Sequence, residues 1–326
     1  MKSDHKIRIA ILGTGFGLNH ARIFSTFDDV EVVGIFGRNE EKTSQAAREL
    51  RIKGYTEVDA LINDAKVDVI DVCLPTQLHA EYCIKALDQG KDVFCETPVA
   101  FEMTDAIHMK EKAGATGRKL LIARYVRFQS EYKYIRDMVS EGRIGEIKFA
   151  YADRRTAPVW GSGWDEHFIT NLMLHDIDYL VWLLGMPMAV TSRGLENPTG
   201  GWNQVSMALE YSRATVSVDG CGIMPASFPF STGLRVVGEK GAIDLNWHWG
   251  GHTPVSEVKY YPAKGEVQVL SIPDQDPYEA ECRYFVDCLS GKADPVMLDI
   301  KNACESLNVA VMGKLSLEQG GARIRL

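Results

Sequence analysis

The chain has 326 residues, of which 45% are hydrophobic and 25% are charged. These values are close to the globular average and exclude a disordered, collagen-like or coiled-coil chain. At roughly 150 residues per domain, this length predicts two domains. Acidic residues outnumber basic ones by 44 to 36, for a net charge of −8. Because there is no basic run to bind phosphates, no nucleic-acid partner is expected.

Cysteine usage and apolar runs indicate the compartment. The seven cysteines are an odd number and form no Cys-x-x-Cys motif, which is typical of reduced intracellular thiols in a chain of this size. The first residues hold no apolar run long enough for a signal peptide. The longest apolar stretch, residues 179–190, is interrupted by Gly185 and Pro187 and is too short to span a bilayer. We therefore expect a cytoplasmic protein that does not bind a membrane.

The first third of the chain alternates short apolar runs with helical patterns. Strands are predicted at 7–12, 30–36, 67–73, 93–95 and 119–123, and helices at 19–27, 40–51, 79–89 and 103–116. Continuous apolar strands that alternate with helices are typical of a parallel sheet covered on both faces. Residues 1–123 are therefore predicted to form a doubly wound, Rossmann-type α/β domain.

The pattern changes after about residue 124. Longer alternating strands are predicted at 147–155, 205–211, 214–221, 234–237, 242–246, 257–261 and 266–271, and they favour an open, mostly antiparallel sheet. An apolar helix is predicted at about 167–184, and helices at about 277–290 and 298–313 close the chain. Residues 124–326 are therefore predicted to form an α+β domain.

A glycine-rich turn joins the first strand to the first helix. Gly13 and Gly15 follow the strand, and Phe16 and Gly17 come next. Such a turn lets the backbone approach a pyrophosphate, and the helix N-terminus supplies free N–H groups. The third glycine of the Gly-x-Gly-x-x-Gly pattern is replaced by Leu18. Because the turn heads a strand–helix–strand unit, we predict a dinucleotide site; the alternative is an ordinary tight turn.

The end of the second strand bears on which dinucleotide is bound. An acidic residue there would hold the adenosine ribose of NAD, but the position is Gly37, followed by Arg38. Without the carboxylate there is room for a 2′-phosphate, and Arg38 can pair with it. Alternatively, Arg38 is a solvated loop residue or stacks on the adenine of either cofactor. We predict NADP as the cofactor, with NAD as the alternative.

Three further segments make the pattern specific: residues 73–79 (CLPTQLH), 90–98 (GKDVFCETP) and 171–178 (NLMLHDID). Together with the glycine turn, in this order and spacing, they resemble the Gfo/Idh/MocA oxidoreductase family over essentially the whole chain. The resemblance implies an NAD(P)-dependent enzyme that acts on sugars, polyols or related carbonyl compounds. It also implies a homodimer or homotetramer built on the open sheet. The positions that it places at the cofactor are Pro75, Thr76, His79, Glu96 and Pro98.

Two positions depart from the pattern of that family. The Glu-Lys-Pro motif of the family falls on Glu96-Thr97-Pro98, so Thr97 replaces a lysine that normally touches the substrate hydroxyl. The aspartate of an Asp-x-x-x-His pair falls on Asn171, whereas the histidine is kept as His175. These two replacements leave the fold and the cofactor as expected and put ordinary sugar dehydrogenation in doubt.

Hydride transfer from an alcohol needs a base for the hydroxyl proton, and the reverse reaction needs an acid. Asn171, His175 and Asp178 are spaced i, i+4 and i+7, so a regular helix would place them on one face. Imidazole has a suitable unperturbed pKa, so His175 is predicted as the acid/base, with Asn171 and Thr97 positioning substrate. Alternatively, His175 is a buried histidine held by Asp178. A metal site with His167 matches no strong ligand spacing, and no metal is expected.

Other candidate residues lie near the substrate. A cis peptide bond before Pro98 would direct Thr97 toward the cofactor. A segment ahead of the 167–184 helix contains Arg154, Arg155, Trp160, Trp164 and His167. It either covers a sugar-like or anionic substrate or is a surface loop packed at a contact. Arg124 and Asp178 are further candidates for lining the substrate cleft.

The leading hypothesis is an oxidoreductase that transfers a hydride between nicotinamide and a sugar, polyol or related small carbonyl compound. The alternative is a regulatory family member that binds a dinucleotide without catalysis. A third possibility retains transient oxidation and re-reduction inside a lyase-like or hydrolytic cycle.

Overall fold

A computed structural model describes residues 6–158, 165–198, 200–251 and 253–326. The strands are β1 (Ile7–Leu12), β2 (Val30–Phe36), β3 (Lys53–Tyr55), β4 (Val69–Val72), β5 (Asp92–Cys95), β6 (Leu120–Ile122), β7 (Ile147–Arg155), β8 (Ala189–Glu196), β9 (Trp202–Glu210), β10 (Thr215–Cys221), β11 (Ser231–Gly238), β12 (Gly241–Trp249), β13 (Pro254–Pro262), β14 (Gln268–Leu270) and β15 (Ile324–Arg325). The helices are α1 (Phe16–Phe24), α2 (Glu40–Leu50), α3 (Val58–Ile62), α4 (His79–Asp88), α5 (Met103–Thr116), α6 (Ser130–Ser140), α7 (Leu174–Leu184), α8 (Pro277–Leu289) and α9 (Ile300–Glu318).

The described residues form two compact units, one of residues 6–128 and 275–304 and one drawn from residues 129–274 and 305–326. The first unit contains a parallel sheet of six strands in the order β3-β2-β1-β4-β5-β6. The strand order reverses between β1 and β4. In open α/β sheets, ligands bind at this switch point, beyond the carboxyl ends of the strands. The predicted Rossmann-type fold is confirmed, although β3 and α3 were not foreseen.

The second unit contains a sheet of nine strands in the order β14-β13-β12-β11-β7-β10-β9-β8-β15. Neighbouring strands are antiparallel except β7 and β10, which run parallel. The predicted open, mostly antiparallel sheet is therefore confirmed. Strands β8 and β15 and helix α6 had no counterpart in the sequence prediction. No helix in the described part of the chain has the length and apolar character needed to cross a membrane.

A segment near the end of the chain, residues 275–304, belongs to the first unit, which the sequence did not predict. The predicted second domain ran without interruption from residue 124 to 326, but residues 275–304 cluster with the Rossmann-type unit. The reason is apolar packing by α8. Its Cys282, Phe285 and Val286 are fully buried in one core with Phe24 and Phe94. The rings of Phe285 and Phe94 are stacked with centroids 4.4 Å apart.

We expect Phe285→Ala to destabilise the first unit by about 3–5 kcal/mol, because it removes a fully buried ring and leaves a cavity. Chemical denaturation followed by fluorescence would measure the loss in the free energy of unfolding. Val296→Ala, which changes a side chain that is 57% exposed in the same unit, is the matched control. A loss below about 1 kcal/mol for Phe285→Ala would contradict the assignment of α8 to this core.

Candidate functional site

The turn after β1 is built for a close approach of the backbone. Gly13 has a φ of 121°, which disfavours other residues, and a Cβ there would overlap the carbonyl oxygen of Cys73. Gly15 precedes α1 without a side-chain cap, and a Cβ added to it would meet no atom within 4 Å. The N-terminus of α1 is therefore open on the side where a pyrophosphate would approach.

Gly17 accounts for the mismatch in the glycine pattern. A Cβ on Gly17 would lie 2.8 Å from Cγ2 of Ile11 and 3.1 Å from Cβ of Cys73. Gly17 thus allows α1 to pack closely on β1, which is the role usually given to the third glycine of the pattern. Position 18 therefore does not need to be glycine and can be leucine. The neighbouring Phe16 is 43% exposed, so its ring lies at the surface beside the turn.

The end of β2 has no space for an acidic side chain. A Cβ at Gly37 would lie 2.6 Å from Oγ1 of Thr43 and 2.7 Å from Cγ2 of Thr14. Arg38 is exposed, and Asn39 caps α2 by accepting a hydrogen bond from the Lys42 amide at 2.9 Å. Position 37 therefore offers no carboxylate to the adenosine ribose, and the residues at the end of β2 fit a dinucleotide that does not need this contact.

The loop after β4 is tied to the loop after β5 by His79. Pro75 is exposed and Thr76 is partly exposed, so both can face a ligand. His79 is 1% exposed, with Nδ1 2.9 Å from the Pro98 carbonyl oxygen and Nε2 2.7 Å from that of Leu74. Because both ring nitrogens contact backbone carbonyls, the ring positions the two loops. This corrects the expectation that His79 binds the cofactor directly.

The segment after β5 has the predicted cis peptide bond between Thr97 and Pro98. Thr97 is partly exposed and Pro98 is buried. The Thr97 amide donates a hydrogen bond to Oε2 of Glu96 at 3.0 Å. The other oxygen of Glu96 lies 3.1 Å from Nε2 of His20. Glu96 thus links the surface of the segment to a buried histidine.

Arg124 is placed differently from the prediction. It is 6% exposed, and its backbone N–H donates a hydrogen bond to Oε1 of the fully buried Glu281 on α8. Burial, with a contribution from the nearby Glu96, raises the pKa of Glu281 to about 8. Arg124 is therefore part of a buried contact of the first unit, rather than an exposed substrate ligand.

In the second unit, the predicted 167–184 helix begins irregularly. Ile169–Met173 form a π-helical turn that leads into α7, and such turns are frequent at functional sites. Asn171 and His175 are partly exposed. Asp178 is 7% exposed and accepts a hydrogen bond of 2.6 Å from the Ser306 hydroxyl. Asp178 therefore lies in the interior, and its negative charge acts on His175; the common face of the three residues stays a prediction.

Two neighbouring arginines of β7 point to opposite faces of the sheet, as strand geometry requires. Arg154 is 1% exposed, and its Nε and Nη2 donate to the carboxylate of Asp176 at 2.8 and 3.0 Å. Arg155 pairs with Asp153 at 2.7 Å. Both residues belong to a regular strand, so the predicted substrate loop does not include them.

His175 lies in an environment that disfavours a positive charge. Burial, followed by the positive charge of Arg154, lowers the pKa of His175 to about 3, while Asp178 opposes the shift. The imidazole is thus neutral at neutral pH and can accept a proton or hydrogen bond. The prediction from an unperturbed pKa is corrected, because burial and then the positive charge of Arg154 set the pKa of His175.

The remaining predicted substrate residues are Trp160, Trp164 and His167. Trp160 and Trp164 lie outside the described residues. His167 is partly exposed, and its carbonyl oxygen accepts a hydrogen bond from the Thr170 hydroxyl at 3.1 Å.

Sequence reasoning missed several buried polar residues of the first unit. They are His20, Asp71 and Glu281, each with 0% exposure. A signal existed for Asp71, because a carboxylate inside an apolar, parallel strand requires a partner. His20 lies on the buried face of α1 with Gly17, Ala21 and Phe24. Glu281 lies far along the chain from His20 and Asp71, and nothing in its local sequence indicated that it would be buried.

Comparison with known proteins agrees with this architecture. Residues 7–124 match the model of the oxidoreductase family with an NAD-binding Rossmann fold, and residues 132–244 match the GFO/IDH/MocA C-terminal domain. The chain belongs to the Gfo/Idh/MocA oxidoreductase family. It is an enzyme of the dehydrogenase and reductase type with an NAD-binding Rossmann domain.

Three curated relatives are similar in sequence to this chain over about half or nearly all of its length. The scyllo-inositol 2-dehydrogenase (NAD(+)) of Bacillus subtilis is 25% identical over 97% of this chain and 96% of its own length. The inositol 2-dehydrogenase of Pseudomonas savastanoi pv. phaseolicola is 31% identical over 55% of this chain and 54% of its own. The 2,7-anhydro-N-acetylneuraminate hydratase of Escherichia coli is 29% identical over 58% of this chain and 52% of its own.

Solved structures show the same fold. The aldose-aldose oxidoreductase of Caulobacter crescentus, complexed with glycerol, superposes with a TM-score of 0.85 at 19% identity and covers 99% of this chain and 100% of its own. An oxidoreductase of Agrobacterium radiobacter in complex with NAD+, L-tartaric acid and magnesium has a TM-score of 0.84 at 17% identity, with 98% of both chains covered.

The low pKa of His175 predicts how stability depends on pH. The folded state keeps this imidazole neutral, whereas the unfolded chain protonates it near pH 6.5. Lowering the pH from about 6 to 4 should therefore destabilise wild type relative to His175→Gln by about 1.4 kcal/mol per pH unit. Chemical denaturation across this pH range would measure the difference. His108→Gln, on an exposed residue, should show no such slope; parallel curves for wild type and His175→Gln would contradict the prediction.

Proposed function

We propose that this enzyme transfers a hydride between NADP(H) and a secondary alcohol or carbonyl carbon of a sugar, polyol or related small molecule. The observation that carries the proposal is the open turn at Gly13–Gly15, which lies at the switch point of an oxidoreductase-family Rossmann sheet. Relatives named as inositol dehydrogenases support the polyol class. When bound, the nicotinamide supplies the site for hydride gain and loss.

The preference for NADP is proposed from the end of β2. Position 37 lacks both a carboxylate and the space for one, and Arg38 is exposed next to it. A guanidinium can bind a 2′-phosphate through two parallel hydrogen bonds. The proposed cofactor contacts are thus the turn residues Gly13, Gly15, Phe16 and Gly17, Arg38, and the loop residues Pro75, Thr76, Glu96 and Pro98.

For the proton, we propose His175 as the group that accepts it from the substrate hydroxyl. Its imidazole is neutral at neutral pH, so one ring nitrogen carries a lone pair that can accept this proton. In the reverse direction, the protonated imidazole returns this proton to the oxygen of the carbonyl group as the hydride reaches its carbon. Asn171 and Thr97 hold substrate oxygens through hydrogen bonds, because an amide and an alcohol do not titrate near neutral pH.

A redox-neutral reaction with transient oxidation is the second candidate. It is favoured by the replacements at Thr97 and Asn171, and one relative is named as a hydratase. Such a cycle would consume substrate with only catalytic amounts of cofactor. A dehydrogenase would change the amount of reduced cofactor in step with product.

We also propose a homodimer or homotetramer and a cytoplasmic location. Val255, Tyr261 and Val269 are exposed apolar side chains on the β13–β14 edge of the open sheet, where a second copy would cover them. The cysteines of the described part of the chain are not in disulfides, which agrees with a reducing compartment.

Arg38→Ala tests the cofactor preference. Loss of a charged hydrogen-bonded pair should weaken NADPH binding roughly 10- to 150-fold and leave NADH binding nearly unchanged. Fluorescence titration with both cofactors measures the two Kd values. Arg48→Ala, an exposed arginine near the other end of α2, is the matched control. An equal loss of affinity for NADPH and NADH would show that Arg38 does not bind the 2′-phosphate.

His175→Ala tests the catalytic role. Turnover should fall by roughly 10²–10⁴-fold with little change in cofactor Kd, because general acid–base catalysis is removed and the Rossmann unit is untouched. Absorbance of the reduced nicotinamide, together with product analysis, follows the reaction on polyols and keto-sugars. Unchanged turnover would exclude this role. Cofactor binding by wild type with no conversion of any polyol or keto-sugar would favour the regulatory alternative.

A further inference from the structure

A buried histidine of the first unit lies between two carboxylates. His20 is fully buried on α1. Its Nδ1 lies 2.9 Å from Oδ2 of Asp71, within hydrogen-bond distance. Its Nε2 lies 3.1 Å from Oε1 of Glu96, at ion-pair distance but off the line of a good hydrogen bond. One imidazole thus bridges β4 and the residue that follows β5.

The charges around this imidazole require a cation. Asp71 is fully buried in a strand with no exposed residue, and a buried carboxylate costs several kcal/mol unless it is paired. Glu96 adds a second carboxylate with a side chain that is only 16% exposed. The groups that face His20 from β4, β5 and α8 are Asp71, Cys73, Glu96, Tyr278, Glu281 and Cys282. Arg124 is a cation beside this cluster, and its positive charge acts on Glu281. His20 is the group that can carry a positive charge between Asp71 and Glu96.

The titration of the cluster agrees with a charged His20. Burial lowers the pKa of His20, but the adjacent Cys73 sulfur and the Asp71 carboxylate raise it, and the net result is well above the ordinary value. Burial and the Asp71 carboxylate raise the pKa of Cys73, whereas the charge of His20 and its contact with the thiol lower it. Glu281, with a pKa of about 8, is mostly protonated at neutral pH.

We propose that His20 is a positioning residue of the dinucleotide site, a buried cation that joins Asp71 to Glu96 and holds the Glu96 carboxylate at the carboxyl edge of the sheet. The proposal rests on the proposed dinucleotide function. Glu96 accepts the Thr97 N–H, so the peptide of Thr97 is positioned through the same chain of contacts. The positive charge also offsets a carboxylate near the place where an anionic diphosphate would approach.

The same atoms define the competing possibility, a metal ion. Donor atoms of His20, Cys73 and Glu96 all lie within 4.8 Å of one another. A metal would need a lone pair on an imidazole nitrogen, which an imidazolium lacks. The two possibilities therefore predict opposite protonation states for His20.

The protonation state is measured first, on the purified wild-type chain without cofactor. Protein labelled with ¹⁵N-histidine should show both ring nitrogens of His20 protonated at pH 7, with assignment from His20→Gln. Elemental analysis of the same sample should show no stoichiometric zinc. A ring with one unprotonated nitrogen, or one zinc per chain, overturns the proposal, and this result does not depend on any activity.

The positioning role is measured by NADPH binding. His20→Gln keeps hydrogen-bonding groups but loses the charge, and it should weaken NADPH binding about 10-fold or more. His108→Gln, on an exposed residue of α5 in the same unit, should bind as wild type does. A folded His20→Gln with wild-type affinity overturns the positioning role. If wild type itself binds neither NADPH nor NADH, the proposed function fails, while the protonation measurement still decides the state of His20.

Two further variants keep the test decisive if His20→Gln does not fold. Glu96→Gln removes one carboxylate and should both weaken NADPH binding and shift the ring resonances of His20; unchanged resonances overturn the link between the two side chains. His20→Gln/Asp71→Asn removes the cation and its buried partner together. It should regain the cooperative unfolding transition that His20→Gln lacks, because no unpaired buried carboxylate remains. A double variant that stays unfolded would show that Asp71 and His20 are not coupled.

Discussion

The parallel sheet of the first unit must bury both of its faces, and much of this architecture follows from that requirement. The helices between its strands supply most of the cover, and α8 supplies the rest from the far end of the chain. Stacking of Phe285 on Phe94 anchors that helix. Because α8 is held there, Glu281 comes to lie next to the backbone of Arg124. A packing requirement thus also determines which polar groups surround the dinucleotide edge.

Buried charges shift two histidines in opposite directions. In the second unit, burial and Arg154 favour the neutral form of His175. In the first unit, the negative charges beside His20 overcome the cost of burial and favour the charged form. Both effects are large because charges interact strongly where water is excluded. The chemical role of each histidine therefore follows from its neighbours and not from the ordinary pKa of imidazole.

Thr97 and Asn171, the two positions at which the sequence analysis expects a departure from the family pattern, have different structural settings. Thr97 is partly exposed and is joined to Pro98 by a cis peptide bond. Asn171 lies in a π-helical turn, where the spacing of side chains differs from that of an α-helix. Neither side chain titrates near neutral pH or carries a charge. This combination is consistent with a reaction that relies on His175 for the proton.

The sequence by itself determined most of the longer elements and the family. Apolar periodicity placed β1, β2 and β7 at their observed bounds, and the glycine turn placed the dinucleotide edge, because strand and turn signals are local. Tertiary structure alone decided that α8 returns to the first unit, that Asp178 and Arg124 are buried, and that His20 meets Asp71 and Glu96. These features depend on contacts between residues far apart in the chain, and burial and charge at a site are properties of those contacts.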